Sequence, residues 1–184
     1  MYLVFPIGLV LLLAIAAVGD ARRYIIPNRL TMAVAGWFVL YALAGLTITQ
    51  TVTPAALIDP LLVAAAVFAV TAALFAMSVM GGGDVKLATA TSLWAGSDLV
   101  FEFLTLTALA GGVLSLVALV RHKHRMAQAG RREVTTGPPL DGADDDTTAR
   151  MADQPPPRVA YGIAIAVGGI FVASQLIING STPS

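Results

Sequence analysis

The sequence PLLVAAAVFAVTAALFAMSVMGGGDVK, residues 60–86, joins a long apolar run to three glycines, an aspartate and a lysine. A helix needs about 20 consecutive apolar residues to cross the hydrocarbon core of a bilayer. No charged residue interrupts the chain between positions 60 and 80. This stretch therefore predicts a transmembrane helix that ends at the glycines, with Asp84 directly behind them.

The composition of the whole chain agrees with a membrane location. Of its 184 residues, 57% are hydrophobic and only 12% are charged. Soluble domains carry about 25% charged residues, because their surfaces face water. The formal net charge is zero, so nothing indicates a nucleic-acid partner. We therefore expect most of the protein surface to face lipid.

Six apolar segments are candidates for spanning helices. The fourth is short and contains polar residues, and its 15 residues would reach only about 22 Å as a straight helix. We expect an all-α, polytopic membrane protein with about six transmembrane helices and a short fourth helix, forming a single domain over residues 1–184. The segments are 2–19, 30–47, 60–80, 82–96, 99–120 and 159–178.

The order of the basic residues predicts the orientation. Arg22, Arg23 and Arg29 follow the first segment, and a basic cluster at 121–132 follows the fifth. If the fourth segment crosses, all 11 Lys and Arg residues lie on one side, which the positive-inside rule makes cytoplasmic. We therefore expect a multi-pass protein of the inner (plasma) membrane with both termini outside. The first segment has no preceding positive charge, so it is expected to be a retained helix and not a cleaved signal peptide.

Residues 121–158 form the only long polar stretch. It begins basic, turns acidic at residues 144–146 and ends in three prolines at 155–157. Few large apolar side chains are available to bury, so the stretch cannot offset the entropy of ordering itself. It is predicted to be a flexible cytoplasmic loop within the single domain.

Two carboxylates lack an ordinary structural explanation. Nine of the 11 Asp and Glu residues lie at helix starts or in the polar loop. Asp20 ends the first helix, where the helix dipole disfavours a negative charge, and Asp84 follows the glycines. In a six-span topology both lie at the cytoplasmic membrane boundary. An ionisable group at a membrane span is expensive and suggests function, so we expect these two to form a pair.

A pair of carboxyl groups has a defined chemistry. Like charges at close range resist simultaneous ionisation, so the pair shares one proton. The ionised member can then deprotonate a water while the protonated member polarises a carbonyl. This chemistry requires no cofactor and no metal. The chain has no cysteine, and its only histidines, His122 and His124, belong to the basic stretch, so no metal site is expected.

The residues around the aspartates have two explanations each. Gly81, Gly82 and Gly83 either form an active-site loop that leaves space for a substrate backbone or make a simple helix–helix turn. Lys86 either influences the ionisation of Asp84 or extends to the polar interface as lysines near helix ends do. The dipeptide at 27–28, Pro-Asn, either positions a substrate or only ends the loop before the second helix.

Three motifs together resemble a known family. Gly81-Gly82-Gly83-Asp84 looks like the GxGD signature of prepilin peptidases, which are aspartic peptidases. The sequence Asp20 to Asn28, DARRYIIPN, resembles the family's first motif, an aspartate followed shortly by Ile-Pro-Asn. Residues 161–166, YGIAIA, are similar to the last helix of its small members, which process Flp-type pilins of tight-adherence systems. The likeness extends over nearly the whole chain except the loop at 121–158.

The resemblance implies an activity and the residues that carry it. It implies an endopeptidase that removes a short basic leader from type IV, Flp-like prepilins or pseudopilins at the cytoplasmic membrane boundary, in contact with pilus assembly machinery. Asp20 and Asp84 would be catalytic, and Gly81 and Gly83 would form the loop. Larger members carry cysteines that bind zinc and an N-methyltransferase activity; this chain has no cysteine, so peptidase activity without methylation is expected. Ala160 stands where small members commonly have proline.

Two other functions remain open from the residues alone. Asp20 and Asp84 could carry protons or cations in a small transporter, since intramembrane acids often do so. Alternatively, the chain could be a non-enzymatic assembly factor with the loop at 121–158 as its docking segment. Replacing either aspartate would then leave function intact, which separates this alternative from the peptidase.

Overall fold

The computed structural model describes residues 3–23, 27–50, 52–133 and 161–179. Within these residues the chain is helical and contains no β-strand, which confirms the predicted all-α class. A short 3-10 turn at Ala55–Leu57 precedes the third helix. The five helices are α1 (Val4–Arg23), α2 (Asn28–Thr47), α3 (Ile58–Ala76), α4 (Gly82–Glu133) and α5 (Tyr161–Asn179).

All five helices are long and apolar enough to cross a bilayer. Their surfaces are also apolar: Met32 is 69% exposed, Phe101 is 76% exposed and Ile178 is 74% exposed. Water-soluble proteins rarely expose such large apolar areas. The protein is therefore a polytopic membrane protein whose exposed apolar side chains face lipid.

The fourth helix is too long for a single crossing. Its apolar part, Gly82–Arg121, has 40 residues and would measure about 60 Å, twice the thickness of the hydrocarbon core. Gly96 interrupts it with φ 56° and ψ −170°, a backbone conformation that is essentially restricted to glycine. Gly96 divides α4 into a first segment, residues 82–95, and a second segment, residues 97–133.

The first segment of α4 runs antiparallel to α3. At one end, Gly82 lies against the ring of Phe75, near the end of α3. At the other end, the backbone N–H of Ser97 donates a 2.9 Å hydrogen bond to Oδ2 of Asp59, in the first turn of α3. Asp59 thus satisfies a backbone donor just after the break at Gly96 and holds the reversal point against α3.

The second segment of α4 runs antiparallel to α5. Phe103 lies against Gly168, and Gly111 lies against Tyr161 at the start of α5. The chain therefore travels from Gly96 back toward the end of the molecule at which α5 begins.

The two segments of α4 consequently cross the structure in opposite directions. Thr91 of the first segment lies against Gly169 of α5. Asp84 interacts with Asp20, which binds the backbone of Gly162 in the first turn of α5. The first segment is thus parallel to α5 and the second antiparallel. The six segments expected from the sequence correspond to five helices, the fourth of which passes through the molecule twice.

The first segment of α4 is the buried centre of the fold. Trp94 is 1% exposed and packs edge-on against Phe38 of α2 at 5.4 Å between ring centroids. Thr91 and Ser92 are fully buried, and their hydroxyl groups donate to the backbone carbonyls of Leu87 and Thr89 respectively. Because these two side chains are enclosed by protein, they can be polar where a polar group facing lipid would be costly.

The second segment of α4 continues as a helix to Glu133. The polar loop was expected to begin at residue 121, so its first 13 residues are helical instead. Helices are cooperative, and a helix already formed in the apolar part extends at low cost into adjoining residues. Residues 134–160 lie outside the described part of the chain, and the predicted flexibility of the loop stays a prediction.

Candidate active site

Asp20 lies at the end of α1 but is bound by the start of α5. Its side chain is only 4% exposed, and its Oδ2 accepts a 2.8 Å hydrogen bond from the backbone N–H of Gly162. The backbone N–H of Ile163 also interacts with the carboxylate. The first N–H groups of a helix have no partner within the helix and favour a negative charge. The C-terminal end of α1 disfavours the negative charge of Asp20, and the N-terminal end of α5 offsets this effect.

Asp84 lies in the first turn of α4. The carbonyl of Gly81 accepts hydrogen bonds from the backbone N–H groups of Asp84 at 3.0 Å and Val85 at 3.2 Å, so Gly81 caps the helix. The carboxylate of Asp84 reaches back to the backbone N–H of Gly81. The bond from the side chain at the third helical position back to the N-cap backbone is one half of a capping box; Gly81 has no side chain to supply the other half.

The absence of a side chain at Gly81 is required by Asp84. A Cβ atom at position 81 would lie 2.9 Å from Oδ2 of Asp84, which is closer than Cβ contacts normally are. Any larger residue would push the carboxylate out of its present position. The first glycine of the motif therefore sets the placement of the aspartate.

The two aspartates lie close enough for their charges to interact, although they are 64 positions apart in sequence. The charge of Asp20 acts on Asp84, and both side chains lie at one end of the helical bundle. Each carboxylate is held by backbone N–H groups at a helix N-terminus, Asp20 by α5 and Asp84 by α4. Asp20 is buried and Asp84 is half-buried, so the pair is accessible on the Asp84 side.

Gly82 and Gly83 lie within the helix and not in a loop. The helix α4 begins at Gly82, so of the three predicted loop glycines only Gly81 belongs to the connection between α3 and α4. Gly82 lies against Phe75, with a Cβ position 3.3 Å from the ring. The helix begins directly after its cap residue, Gly81, so the next two glycines form its first turn although the sequence pattern predicted a loop.

Lys86 contacts the first motif and not the aspartates. Its Nζ donates a 2.9 Å hydrogen bond to Oδ1 of Asn28, 58 positions away. Pro27 precedes α2 in an extended conformation, and Asn28 is the first residue of that helix. Among the described residues no ion pair joins Lys86 to an aspartate. Pro27 thus starts α2, and Asn28 ties this start to the first segment of α4.

Sequence reasoning missed two contacts of the site. The Gly162 donor to Asp20 and the bond between Lys86 and Asn28 both join motifs that are distant in sequence. The motif at 161–166 was the available signal for the first, because a helix that begins there has backbone N–H groups without partners inside the helix. Within the described residues, no group of three or more His, Cys, Asp or Glu side chains lies together.

These features define a class: an all-helical membrane protein with two interacting carboxylates at one end of the bundle. The model of the type IV leader peptidase family matches residues 7–116, which is more than half of the chain and includes both aspartates. The protein belongs to the type IV leader peptidase family and is a peptidase. Comparison with curated proteins and with solved structures gave no match.

Proposed function

We propose that this protein is an aspartic endopeptidase that removes the short basic leader from type IV, Flp-like prepilins or pseudopilins. The observation that carries the proposal is the pairing of Asp20 and Asp84 in a chain of the leader peptidase family. Membership of the family indicates a peptidase activity in general. The pair supplies a chemistry by which a peptide bond can be cleaved.

The mechanism requires one ionised and one protonated carboxyl group. The ionised group takes a proton from a water molecule, which attacks the scissile carbonyl, while the protonated group donates a hydrogen bond to the carbonyl oxygen. The tetrahedral intermediate then collapses, the C–N bond breaks and a proton passes to the leaving amine. Because the two charges interact, their titration belongs to the pair, and we expect a bell-shaped dependence of kcat on pH.

The environment of the pair suits this mechanism. Backbone N–H groups of Gly162 and Gly81 fix the two carboxylates, so little reorganisation is needed during the reaction. The pair lies at the end of its helices, and Gly81 beside it is exposed. Water can therefore reach the site from the aqueous boundary, which hydrolysis requires.

The placement at the cytoplasmic face follows from charge. With six passes, the 11 Lys and Arg residues lie on the side of the membrane that contains Asp20 and Asp84. We place both termini outside the inner membrane and the active site at the cytoplasmic boundary. A basic leader stays on the same side by the same rule, so the bond behind it lies near the pair. The product then passes to the pilus assembly machinery.

Methylation of the new N-terminus is not part of the proposed activity. The chain has no cysteine, whereas the family members with methyltransferase activity carry a cysteine-containing cytoplasmic region. Coupled transport of protons or cations, the alternative use of the same aspartates, is not favoured, because the family is one of peptidases.

Leader removal from a co-expressed Flp-type prepilin tests the proposal, read as a mobility shift on a gel. Wild type is compared with Asp20→Asn and Asp84→Asn, and Asp59→Asn serves as a control at the opposite end of the bundle. We expect cleavage by wild type and Asp59→Asn and none by the other two variants at equal membrane levels. Cleavage at the wild-type rate by either Asp20→Asn or Asp84→Asn would refute the two-aspartate mechanism.

A further inference from the structure

A lateral groove of about 400 Å³ lies between α2 and α3, with the first segment of α4 as its floor. Both α2 and α3 pack against α4 but hardly against each other, which leaves the groove open to the surrounding lipid. We call it the α2–α3 groove. Its lining residues are Asn28, Thr31, Met32, Ala35, Phe68, Lys86, Thr89, Ala90 and Leu93.

The lining residues form two regular stripes. The four on α2 occupy positions 28, 31, 32 and 35, and the four on α4 occupy 86, 89, 90 and 93. Each set has the i, i+3, i+4, i+7 spacing of one helix face. Seven residues of helix rise about 10 Å, so the groove extends along two helical turns. The bond between Lys86 and Asn28 places the first residues of both stripes at the same end.

The groove is polar at that end and apolar beyond it. Lys86 and Asn28 form the polar end, and Lys86 is only two positions after Asp84. Met32 and Phe68, 69% and 51% exposed, form apolar walls toward the lipid. The groove thus begins at the level of the active site and continues into the apolar part of the bundle.

Thr31, near the polar end of the groove, has a buried hydroxyl group. It lies on the groove wall and is 7% exposed, yet its hydroxyl group has no hydrogen-bond partner among the described residues. Threonines within helices commonly donate to the carbonyl four residues earlier, as Thr71, Thr89 and Thr91 do here. A buried polar group without a partner is costly, so such a group in a native structure calls for an explanation.

We propose that the α2–α3 groove is the docking site for the apolar helix of the substrate, which enters sideways from the bilayer between α2 and α3. The proposal rests on the proposed leader peptidase function and names where that substrate binds. Two turns of an apolar helix match the length and the lining of the groove. At the polar end, Lys86 and Asn28 offer groups that a peptide backbone can bind and that a lipid acyl chain cannot.

The geometry also determines how the substrate reaches the aspartates. Successive helical residues are 100° apart, so Lys86 and Asp84 point to nearly opposite sides of α4. A substrate docked beside Lys86 must therefore pass around the N-terminus of α4 to reach Asp84. A helix is about 10 Å wide and an extended chain advances about 3.3 Å per residue, so about three extended residues separate the docked helix from the scissile bond. Gly81, which is exposed, lies along this path.

Photo-crosslinking in the membrane tests the docking site. Benzoylphenylalanine is placed at Met32 or Phe68 in the groove, in an Asp84→Asn background that retains uncleaved prepilin. Matched controls at the exposed positions Ala33 and Val70 lie on the same helices at similar depth but outside the groove. We expect crosslinks to the prepilin from the two groove positions and not from the two controls.

A substitution that fills the groove tests whether the active enzyme needs it to bind substrate. The variant Ala35→Leu places a larger side chain on the groove wall, and Ala33→Leu makes the same change on the exposed face of α2. We expect Ala35→Leu to lower kcat/KM about tenfold through KM, since occupied space excludes the docked helix, and Ala33→Leu to change it less than about twofold.

The outcomes separate this inference from the proposed function. If wild type cleaves the prepilin but crosslinks form equally at Ala33 and Val70, the docking site is wrong and the peptidase function stands. Crosslinks from Met32 and Phe68 to lipid alone, or to a second copy of this chain, likewise overturn the docking site. If wild type does not cleave the prepilin, the proposed function is wrong, and so is the assignment of the substrate helix to the groove.

Discussion

The backbone N–H of Gly162 donates a 2.8 Å hydrogen bond to Oδ2 of Asp20, a residue 142 positions earlier in the chain. The side chain at the end of α1 therefore caps the start of α5. Asp20 thus has a structural role in joining the two helices, in addition to the catalytic role that we propose. The two roles can be separated by experiment, because a hydrogen-bond acceptor is sufficient for the first and an ionisable group is needed for the second.

The choice of substitution at Asp20 should reveal its capping role. We expect Asp20→Ala to lower the free energy of unfolding by about 1–3 kcal/mol relative to Asp20→Asn, because alanine leaves the Gly162 N–H buried without an acceptor. Asparagine retains a carbonyl oxygen at that position. Thermal unfolding of the two purified variants in the same detergent measures the difference. Equal melting temperatures would show that the hydrogen bond does not stabilise the fold.

The substitution Gly81→Ala should impair catalysis more than folding. The new Cβ would lie 2.9 Å from Oδ2 of Asp84 and displace the flexible carboxylate, while the backbone keeps its course. We expect kcat to fall at least about tenfold with the melting temperature nearly unchanged. The control is Gly112→Ala, where a Cβ meets no atom within 4 Å. Full activity of Gly81→Ala would mean that the carboxylate position is not critical.

The substitution Gly96→Ala should destabilise the reversal in α4. Its backbone has φ 56° and ψ −170°, which a residue with a Cβ adopts only at a cost of about 1–3 kcal/mol. We expect a lower melting temperature and a lower level of protein in the membrane. Gly19→Ala, at a position where a Cβ meets no atom within 4 Å, serves as the reference. An unchanged melting temperature would contradict a strained reversal at residue 96.

Close packing between α4 and α5 should depend on Gly168. A Cβ at this position would lie 2.8 Å from the backbone oxygen of Phe103, and a backbone atom cannot move aside as a side chain can. We expect Gly168→Ala to destabilise the protein by about 1–3 kcal/mol through separation of the two helices. Gly36→Ala, where a Cβ meets no atom within 4 Å, should have no such effect in the same unfolding assay.

The charge of the substrate leader should control processing. Basic residues keep the leader on the cytoplasmic side, where we place Asp20 and Asp84. We expect replacement of the leader's Lys and Arg by Glu to reduce cleavage of the co-expressed prepilin. Exchanging Lys for Arg and Arg for Lys keeps the positive charge and should leave cleavage unchanged. Unchanged cleavage of the acidic leader would contradict the placement of the site at the cytoplasmic boundary.

The pattern of the sequence was sufficient for the fold class, and it predicted a functional pair of aspartates. Hydropathy identifies spanning helices because lipid offers no hydrogen bonds to an exposed backbone. A helix satisfies all of its backbone hydrogen bonds within one segment. The two aspartates stood out because acids at membrane spans are costly, and the structure brings them to one site. The glycines were less informative: their pattern indicated a loop, but Gly82 and Gly83 belong to the helix.

Local sequence determined which segments are apolar and where the basic residues and the two aspartates fall along the chain. Only the tertiary structure decided which helix ends meet: Gly162 at Asp20, Asn28 at Lys86, and a groove left open between α2 and α3. The physical reason is that hydropathy and helix propensity are properties of a single continuous segment of the chain. Contacts between helices depend instead on how side chains of distant segments fit, and a single sequence carries no local signal for that fit.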